Sequence, residues 1–262
     1  MNNLFFGKFF FFRARHFHTQ RDNLIQYSMN FFYRHRVTLG IICVVLSFFM
    51  ALGVCIFALS ETASESVALK VVIDAGHGGI DGGVVGIESG VKESDINLDL
   101  ARRLGRCFQE AGFLVVQTRE TEAGLYGTAT AGYKKRDMKK RAEIINKSNP
   151  TLVISVHQNF FSARSRRGAQ VFFRASNERS VTLACLIQAS LNNMEECVRE
   201  SEPLKGDYYI LNCNDFASVI VECGFLSNAE DEKLLLDSNY RDKVAAAITA
   251  GALQYLASAA SG

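Results

Sequence analysis

Beyond its N-terminal quarter, the chain alternates short apolar runs with longer segments of helical periodicity. Residues 69–76 (LKVVIDAG) and 151–156 (TLVISV) are apolar runs typical of buried strands. Residues 94–112 (SDINLDLARRLGRCFQEAG) instead repeat apolar side chains every three or four positions, and Gly112 stands where that helix is expected to end. This alternation predicts an α/β fold, with a mostly parallel central sheet flanked by helices and a single domain over residues 69–258.

The N-terminal quarter contains a long uncharged segment. Residues 37–60, VTLGIICVVLSFFMALGVCIFALS, include no charged side chain, and a helix of this length crosses a hydrocarbon core of roughly 30 Å. A secretory signal peptide would have a shorter apolar core and a small-residue cleavage site, of which this segment offers only a poor version. We favour an uncleaved transmembrane anchor followed by a linker at residues 61–68, with a cleaved signal as the alternative.

Charge is distributed unevenly around the apolar segment. Residues 1–36 contain six basic and one acidic side chain, whereas the rest of the chain has 23 basic and 26 acidic ones, a net charge of −3. The positive-inside rule therefore predicts a cytoplasmic N-terminus and an extracytoplasmic domain. The acidic balance of that domain gives no basis for a nucleic-acid ligand.

The first 28 residues allow two interpretations. Met29 begins a compact start, MNFFYRHR, that leads directly into the apolar segment. Residues 1–28, which show no clean helical or strand period, are then a gene-model extension. The alternative is a basic, aromatic segment that lies on the inner leaflet of the membrane.

Five cysteines follow the apolar segment. No two of them have the short CxxC spacing of a zinc knuckle or redox pair, and an odd number cannot be fully paired within one chain. We expect mostly buried thiols, with one long-range disulfide as the alternative. The five are Cys107, Cys185, Cys197, Cys213 and Cys223.

Two histidines lie beyond residue 60, and each closes an apolar run that predicts a strand. His77 follows VVIDAG and His157 follows TLVISV. Parallel strands deliver the residues at their carboxyl ends to one edge of the sheet, where open α/β folds bind ligands. Either histidine alone is explained by packing at the sheet edge, but the pair predicts a metal site.

A metal site of this kind requires a carboxylate as well. Catalytic zinc typically takes three protein ligands, and two histidines with one glutamate are a common set. Glu93, at the end of a glycine-rich loop and one residue before the predicted helix cap Ser94, is the best candidate, and Glu88 is its competitor. We expect Asp74 and Asp81 to hold turns by bonding backbone amides.

A further acidic residue interrupts the last predicted strand. Glu222 lies within the strongly apolar run SVIVECGF, where an unpaired carboxylate is costly. Two interpretations remain: a buried glutamate paired with an arginine, or a general base that takes a proton from an attacking water molecule.

The residues singled out above belong to four motifs that follow one another along the chain. VVIDAGHGGIDGG, the acid of GVKESDINL, ISVHQN and VIVECGFLSN resemble the signature of the zinc-dependent N-acetylmuramoyl-L-alanine amidases that cut peptidoglycan, over residues 69–256. The resemblance implies one Zn²⁺ per chain, held by His77, Glu93 and His157, with Glu222 as the catalytic glutamate. It implies hydrolysis of the amide between N-acetylmuramic acid and L-alanine, in a domain on the cell-wall side of the membrane.

Two further segments refine the resemblance. TRETEAGLYG and MKKRAEIINKS, with one membrane segment and no wall-binding repeats, look most like the germination-specific, spore-cortex branch of these amidases. That branch implies a role in cortex maturation or germination and is compatible with an activating protein partner. The family's substrate groove would lie near residues 192–215. Asn159, Arg119 and Lys205 are candidate contacts with the stem peptide or sugar, although Arg119 could equally be a structural ion-pair partner.

Two other classes of protein remain as alternatives. A zinc peptidase that cuts within the stem peptide would use similar ligands, and only the products distinguish it from an amidase. A membrane-tethered, non-catalytic wall-binding module would also be exposed outside the cell. It would not require all four of the acidic and histidine residues that the motifs contain.

Overall fold

The computed structural model describes residues 6–62, 69–128 and 130–260. The first of these ranges is a single helix, α1 (Phe6–Thr62). Its part Gln26–Cys55 is long and apolar enough to cross a membrane, a property that anchors share with signal sequences. The helix begins at Phe6, so it includes most of the segment in which the sequence shows no clean period.

Contacts between Cα positions divide the chain into two units, residues 1–67 and 68–262. The predicted limits of the cytoplasmic segment, the anchor and the linker stay predictions. The second unit contains the predicted α/β domain and is described by itself below.

The α/β domain is built on a six-stranded sheet with the order β2-β1-β3-β6-β4-β5. Four of the five neighbouring pairs are parallel, and only β4 runs antiparallel to β6. The predicted mostly parallel sheet is thereby confirmed. The strands are β1 (Lys70–Ala75), β2 (Leu114–Gln117), β3 (Leu152–Asn159), β4 (Gln170–Phe173), β5 (Leu204–Lys205) and β6 (Ala217–Phe225).

Helices cover both faces of this sheet. Apolar side chains of α2, α4, α6 and α7 pack on one face, and those of α3 and α5 pack on the other. Gly112 ends the region of α2 with a φ of +87°, as predicted. The helices are α2 (Glu93–Glu110), α3 (Tyr133–Ser148), α4 (Glu178–Asn192), α5 (Tyr209–Asn212), α6 (Ala229–Leu236) and α7 (Ser238–Ala260).

The alternation of side chains along β3 and β6 determines which face of the sheet carries His157 and Glu222. Val153 and Ile220 belong to the apolar cluster beneath α3 and α5. His157 and Glu222 follow them at even spacings, so they lie on the same face of the sheet. The two residues are also register partners on adjacent strands. The sheet therefore places both of them side by side near its carboxyl edge.

The cysteines differ from the expectation. All five in the α/β domain are unpaired, but only Cys223 is buried. Cys185 is exposed and the other three are partly exposed. The prediction of mostly buried thiols is wrong because the helices and loops that contain the other four are amphipathic or lie at the surface.

Candidate metal centre and active site

The structure brings the three predicted metal ligands together. His77 Nε2 lies 3.3 Å from Glu93 Oε2, and His157 Nδ1 lies 2.9 Å from Glu93 Oε1. The two imidazole rings are 5.0 Å apart between centroids. One candidate ligand atom from each residue lies within 4.8 Å of the other two. Residues from a loop, a helix and a strand thus converge on one point.

Each ligand residue is positioned by the element that carries it. His77 lies two residues beyond β1, with a left-handed φ of +60° that is uncommon for a residue other than glycine. Glu93 is the first residue of α2, so the predicted cap at Ser94 is wrong and Lys92 takes the cap position. An acidic side chain is favoured there by the helix dipole.

The carboxylate of Glu93 is held from several sides. Its Oε2 accepts from the Val84 N–H at 2.9 Å, and its Oε1 accepts from the Gln158 N–H at 3.1 Å and from Asn97 Nδ2 at 3.2 Å. Burial raises the pKa of Glu93, but hydrogen bonds to both histidines outweigh burial and hold the pKa well below its usual range. The carboxylate is therefore fixed and ionised, as a metal ligand must be. The competitor Glu88 is exposed and lies outside this group.

Gly76 is the residue that lets the His157 ring occupy its place. A Cβ built on Gly76 would lie 2.2 Å from His157 Cε1 and Nε2, which is far below any van der Waals contact. The backbone of Gly76 does not have a positive φ, so the close approach alone accounts for the glycine.

We expect Gly76→Ala to displace the His157 ring and weaken zinc binding by about tenfold or more, the scale seen when ligand orientation is lost. Competition with a chromogenic chelator measures this affinity. Gly82→Ala is the matched control, because its Cβ would meet only the flexible Lys92 side chain at 3.2 Å. Equal zinc affinity in the two variants would contradict the role given to Gly76.

Asp81 contacts the other side of the His77 ring. Its Oδ2 lies 3.1 Å from His77 Nδ1, a close contact between a carboxylate and an imidazole. Burial lowers the pKa of His77, but the interactions with Glu93 and Asp81 outweigh it and raise the pKa. A carboxylate on the second ring nitrogen is the usual way to orient a metal-binding histidine. The expectation that Asp81 would hold a turn through backbone amides is therefore wrong for its side chain.

We expect Asp81→Ala to lower zinc affinity by about tenfold to a hundredfold, because the His77 ring loses the group that orients it. Glu88→Ala provides the control, since Glu88 is exposed in the same loop. Isothermal titration of the zinc-free protein measures both. A loss of affinity in the Glu88 variant alone would mean that the wrong acid has been identified.

Glu222 differs from Glu93 in that its carboxylate has an oxygen without a partner. Its Oε2 is buried, and no hydrogen bond reaches it among the described residues. No arginine forms an ion pair with it in the described part of the chain, so that alternative is wrong. Burial raises the pKa of Glu222, and the Glu93 charge adds to this while His157 opposes it, leaving the pKa at about 7.

A buried arginine on α3 connects that helix to β1 and to the loop that carries His77. Arg141 donates to Asp74 Oδ1 at 2.6 Å and to Asp137 Oδ2 at 2.6 Å. It also donates to the backbone carbonyls of Ala75 and His77. This role of Arg141 was not predicted from the sequence, and the predicted turn-holding role of Asp74 is wrong, because its carboxylate accepts from Arg141, Thr118 and Ser155. The sequence does contain an indication of it, because the charged residues Asp137 and Arg141 lie four positions apart, on the buried face of α3.

The three candidate substrate contacts have different outcomes. Arg119 is buried, and its guanidinium donates to backbone carbonyls, among them Ala75 at 2.9 Å. A substrate contact at Arg119 is therefore contradicted, and its role is structural without an ion pair. Asn159 lines the cavity beside the metal centre. Lys205 is exposed on β5 and does not line that cavity, so both of these contacts stay predictions.

The residues present fit a zinc ion. Two imidazoles and one carboxylate are a donor set that catalytic zinc takes, with a fourth position left open. Glu222 supplies a buried oxygen without a partner next to this cluster. The cavity in front of the cluster has a volume of about 460 Å³, which is within the range of sites that bind small ligands. The arrangement can hold a metal ion and a proton-transfer group on the same wall.

Comparison with known proteins identifies the family. A family model described as N-acetylmuramoyl-L-alanine amidase matches residues 71–254. The germination-specific N-acetylmuramoyl-L-alanine amidase of Bacillus subtilis (strain 168) is 36% identical over 189 residues, which cover 71% of this chain and 78% of that protein. The CwlD amidase of Clostridioides difficile, solved in complex with the GerS lipoprotein, matches with a TM-score of 0.69 and 36% identity, covering 72% of this chain and 98% of that one. An N-acetylmuramoyl-L-alanine amidase from Clostridium difficile 630 matches with a TM-score of 0.64 and 27% identity, covering 73% and 98%. The chain therefore belongs to the N-acetylmuramoyl-L-alanine amidase family.

Proposed function

We propose that this protein hydrolyses the amide bond between N-acetylmuramic acid and L-alanine in peptidoglycan, with one Zn²⁺ held by His77, Glu93 and His157. The observation that carries the proposal is the position of Glu222. A carboxylate with a buried, unpartnered oxygen lies in register with a ligand histidine on the neighbouring strand. Membership in a family of N-acetylmuramoyl-L-alanine amidases identifies the bond that this arrangement would cut.

Three side chains would hold the metal, and a fourth, Glu222, would transfer a proton. When bound, zinc would polarise the amide carbonyl and make a water molecule more acidic. Glu222 would accept a proton from the attacking water and return it to the departing alanine nitrogen. The Glu222 oxygen without a partner lies beside the ligand cluster, which is where a group that takes and returns a proton is required. Glu93 and Asp81 would keep the His77 ring in place throughout.

We also propose that the enzyme acts on spore-cortex peptidoglycan from the outer side of a membrane. The name of the Bacillus subtilis relative supports a role in germination. The apolar part of α1 supports an anchor, and the basic residues that precede it support a cytoplasmic N-terminus. The complex of the Clostridioides difficile amidase with a lipoprotein supports a protein partner here. Resistance of the protein to extraction from membranes by alkaline carbonate would test the anchor.

Mass spectrometry of the products tests the reaction. The full-length protein, purified in detergent and loaded with zinc, is incubated with purified peptidoglycan. We expect released peptides with a free N-terminal L-alanine together with glycan strands that lack stems. Peptides cleaved within the stem would identify a zinc peptidase instead. Intact stems, together with a protein that does not retain zinc, would overturn the metal-site assignment.

A further inference from the structure

The charges that line the catalytic cavity are unequally available to a substrate. Besides the histidines, the described cations that line it are Arg141 and Lys134. Arg141 is buried, and its donors are used by Asp74, Asp137 and two backbone carbonyls. The cavity thus offers an entering anion one cationic side chain that solvent reaches.

Lys134 lies in the first turn of α3, at the mouth of the cavity. Its side chain is 68% exposed, and its Nζ lies 3.9 Å from Asp81 Oδ1. An ammonium group has three donors, and a contact of this length leaves them available. Exposed pairs of this kind contribute little to stability. The stability of the fold therefore does not require a lysine at position 134.

We propose that Lys134 binds a carboxylate of the stem peptide, namely the free α-carboxylate of the D-isoglutamate that follows L-alanine. The proposal rests on the proposed function and assigns a subsite to the same cavity. Because D-isoglutamate is linked onward through its side chain, its α-carboxylate remains charged unless it is amidated. Lys134 would distinguish these two forms of peptidoglycan.

The assignment requires the cation and the metal centre to lie close enough for one stem peptide to reach both. In an extended stem peptide the α-carboxylate of the second residue lies about 7 Å from the scissile carbonyl carbon, since consecutive Cα atoms are about 3.8 Å apart. In the structure a single carboxylate separates the Lys134 ammonium group from the metal ligand His77: Asp81 lies 3.9 Å from one and 3.1 Å from the other. Lys134 and His77 thus contact the same carboxylate, and both line the cavity in which the bond would be cut.

The other walls of the cavity provide no competing cation. Tyr208 and Tyr209 at the start of α5 and Phe160 after β3 line the cavity with aromatic side chains. Such groups contact sugar rings and apolar peptide surface but do not neutralise a carboxylate. Asp81, by contrast, would repel an anion that lacked a cation beside it. Lys134 thus decides whether the acidic form of the substrate is accepted.

A pair of substrates that differ in one group tests the proposal. The substrates are synthetic peptidoglycan tetrasaccharides with tripeptide stems, in which the second residue is D-isoglutamate or D-isoglutamine linked onward through its side chain, and they are cleaved by the zinc-loaded full-length enzyme. We expect the wild type to favour the acidic form and Lys134→Met to raise KM for that form alone by about tenfold to a hundredfold, as for loss of a hydrogen bond to a charged group. The preference of the wild type should also decline as salt is added. Lys135→Met, an exposed neighbour on the same helix, should behave as the wild type.

Each other outcome has a distinct meaning. Equal cleavage of both substrates by the wild type, or a preference that persists in Lys134→Met, would overturn the subsite and leave the amidase intact. A variant that loses both substrates equally and binds zinc less tightly would show that Lys134 acts through Asp81 on His77, which also overturns the subsite. Cleavage of neither substrate by the wild type would overturn the proposed function itself, and the subsite with it.

Discussion

Replacing Glu222 with glutamine should reduce amide hydrolysis by about a hundredfold to ten-thousandfold while zinc remains bound, since that is the usual contribution of a positioned acid or base. Glutamine keeps the shape of the side chain but can neither accept the proton of the attacking water nor return it to the leaving nitrogen. None of the three ligand residues is altered. Release of stem peptides from peptidoglycan measures the activity, and atomic absorption measures the zinc. Turnover retained in this variant would remove Glu222 from the mechanism.

The same substitution has an effect on stability that shows whether the variant is folded. Burial raises the pKa of Glu222 from 4.5 to about 7, so the folded state binds a proton that the unfolded state releases between these values. Stability of the zinc-free wild type should therefore fall as pH rises from about 4.5 to about 7 and stay lower above that. The variant should match the wild type at pH 4 and exceed it at pH 8 by about 3 kcal/mol. Glu110→Gln, a change at an exposed position near the end of α2, should show neither effect.

Much of the site could be predicted because it depends on strand ends and strand register. His77 and His157 each follow a recognisable apolar run, and parallel strands bring such residues to one edge. Glu222 interrupts an apolar strand, which marks a buried carboxylate before any contact is known. These signals are local in sequence, and the pairing of β3 with β6 then places His157 beside Glu222.

The rest could not be predicted because it depends on contacts between distant segments. Arg119 looks in sequence like a polar residue after a strand, but the loops around it fold so that its guanidinium bonds backbone carbonyls. Asp81 precedes a glycine, which predicts a turn, yet its side chain contacts His77. In both cases the residue type gives the hydrogen-bonding capacity, and only the tertiary fold decides which partner uses it.

Arg141→Met should destabilise the α/β domain by about 3–5 kcal/mol at pH 7, because it leaves buried carboxylates without their cation. Burial raises the pKa of Asp74, but Arg141 and hydrogen bonds from Ser155 and Thr118 outweigh it and lower the pKa to about 2. In the variant Arg141 no longer lowers the pKa of Asp74, so burial should raise that pKa above its value in the wild type. Near-ultraviolet circular dichroism during thermal unfolding of the zinc-free, detergent-solubilised protein follows the loss of tertiary packing.

The pH dependence separates this mechanism from simple loss of packing. In the wild type the folded-state pKa of Asp74 is depressed from 3.8 to about 2, so its contribution of about 2 kcal/mol is present above pH 4 and is lost as pH falls toward 2. The difference between variant and wild type should therefore narrow in acid. A cavity left by the arginine would give a difference that does not change with pH.

A second substitution tests which carboxylate causes the loss. Asp74→Asn combined with Arg141→Met should recover part of the stability at pH 7, because the amide can still bond Ser155 and Thr118 without a charge to compensate. Lys140→Met, which removes a cation paired with Glu143 on the exposed face of α3, should change stability by less than about 1 kcal/mol. If the double variant were no more stable than Arg141→Met, the arginine would matter chiefly through the carbonyls of Ala75 and His77. Its loss should then appear as weaker zinc binding, because those carbonyls fix the loop that carries His77.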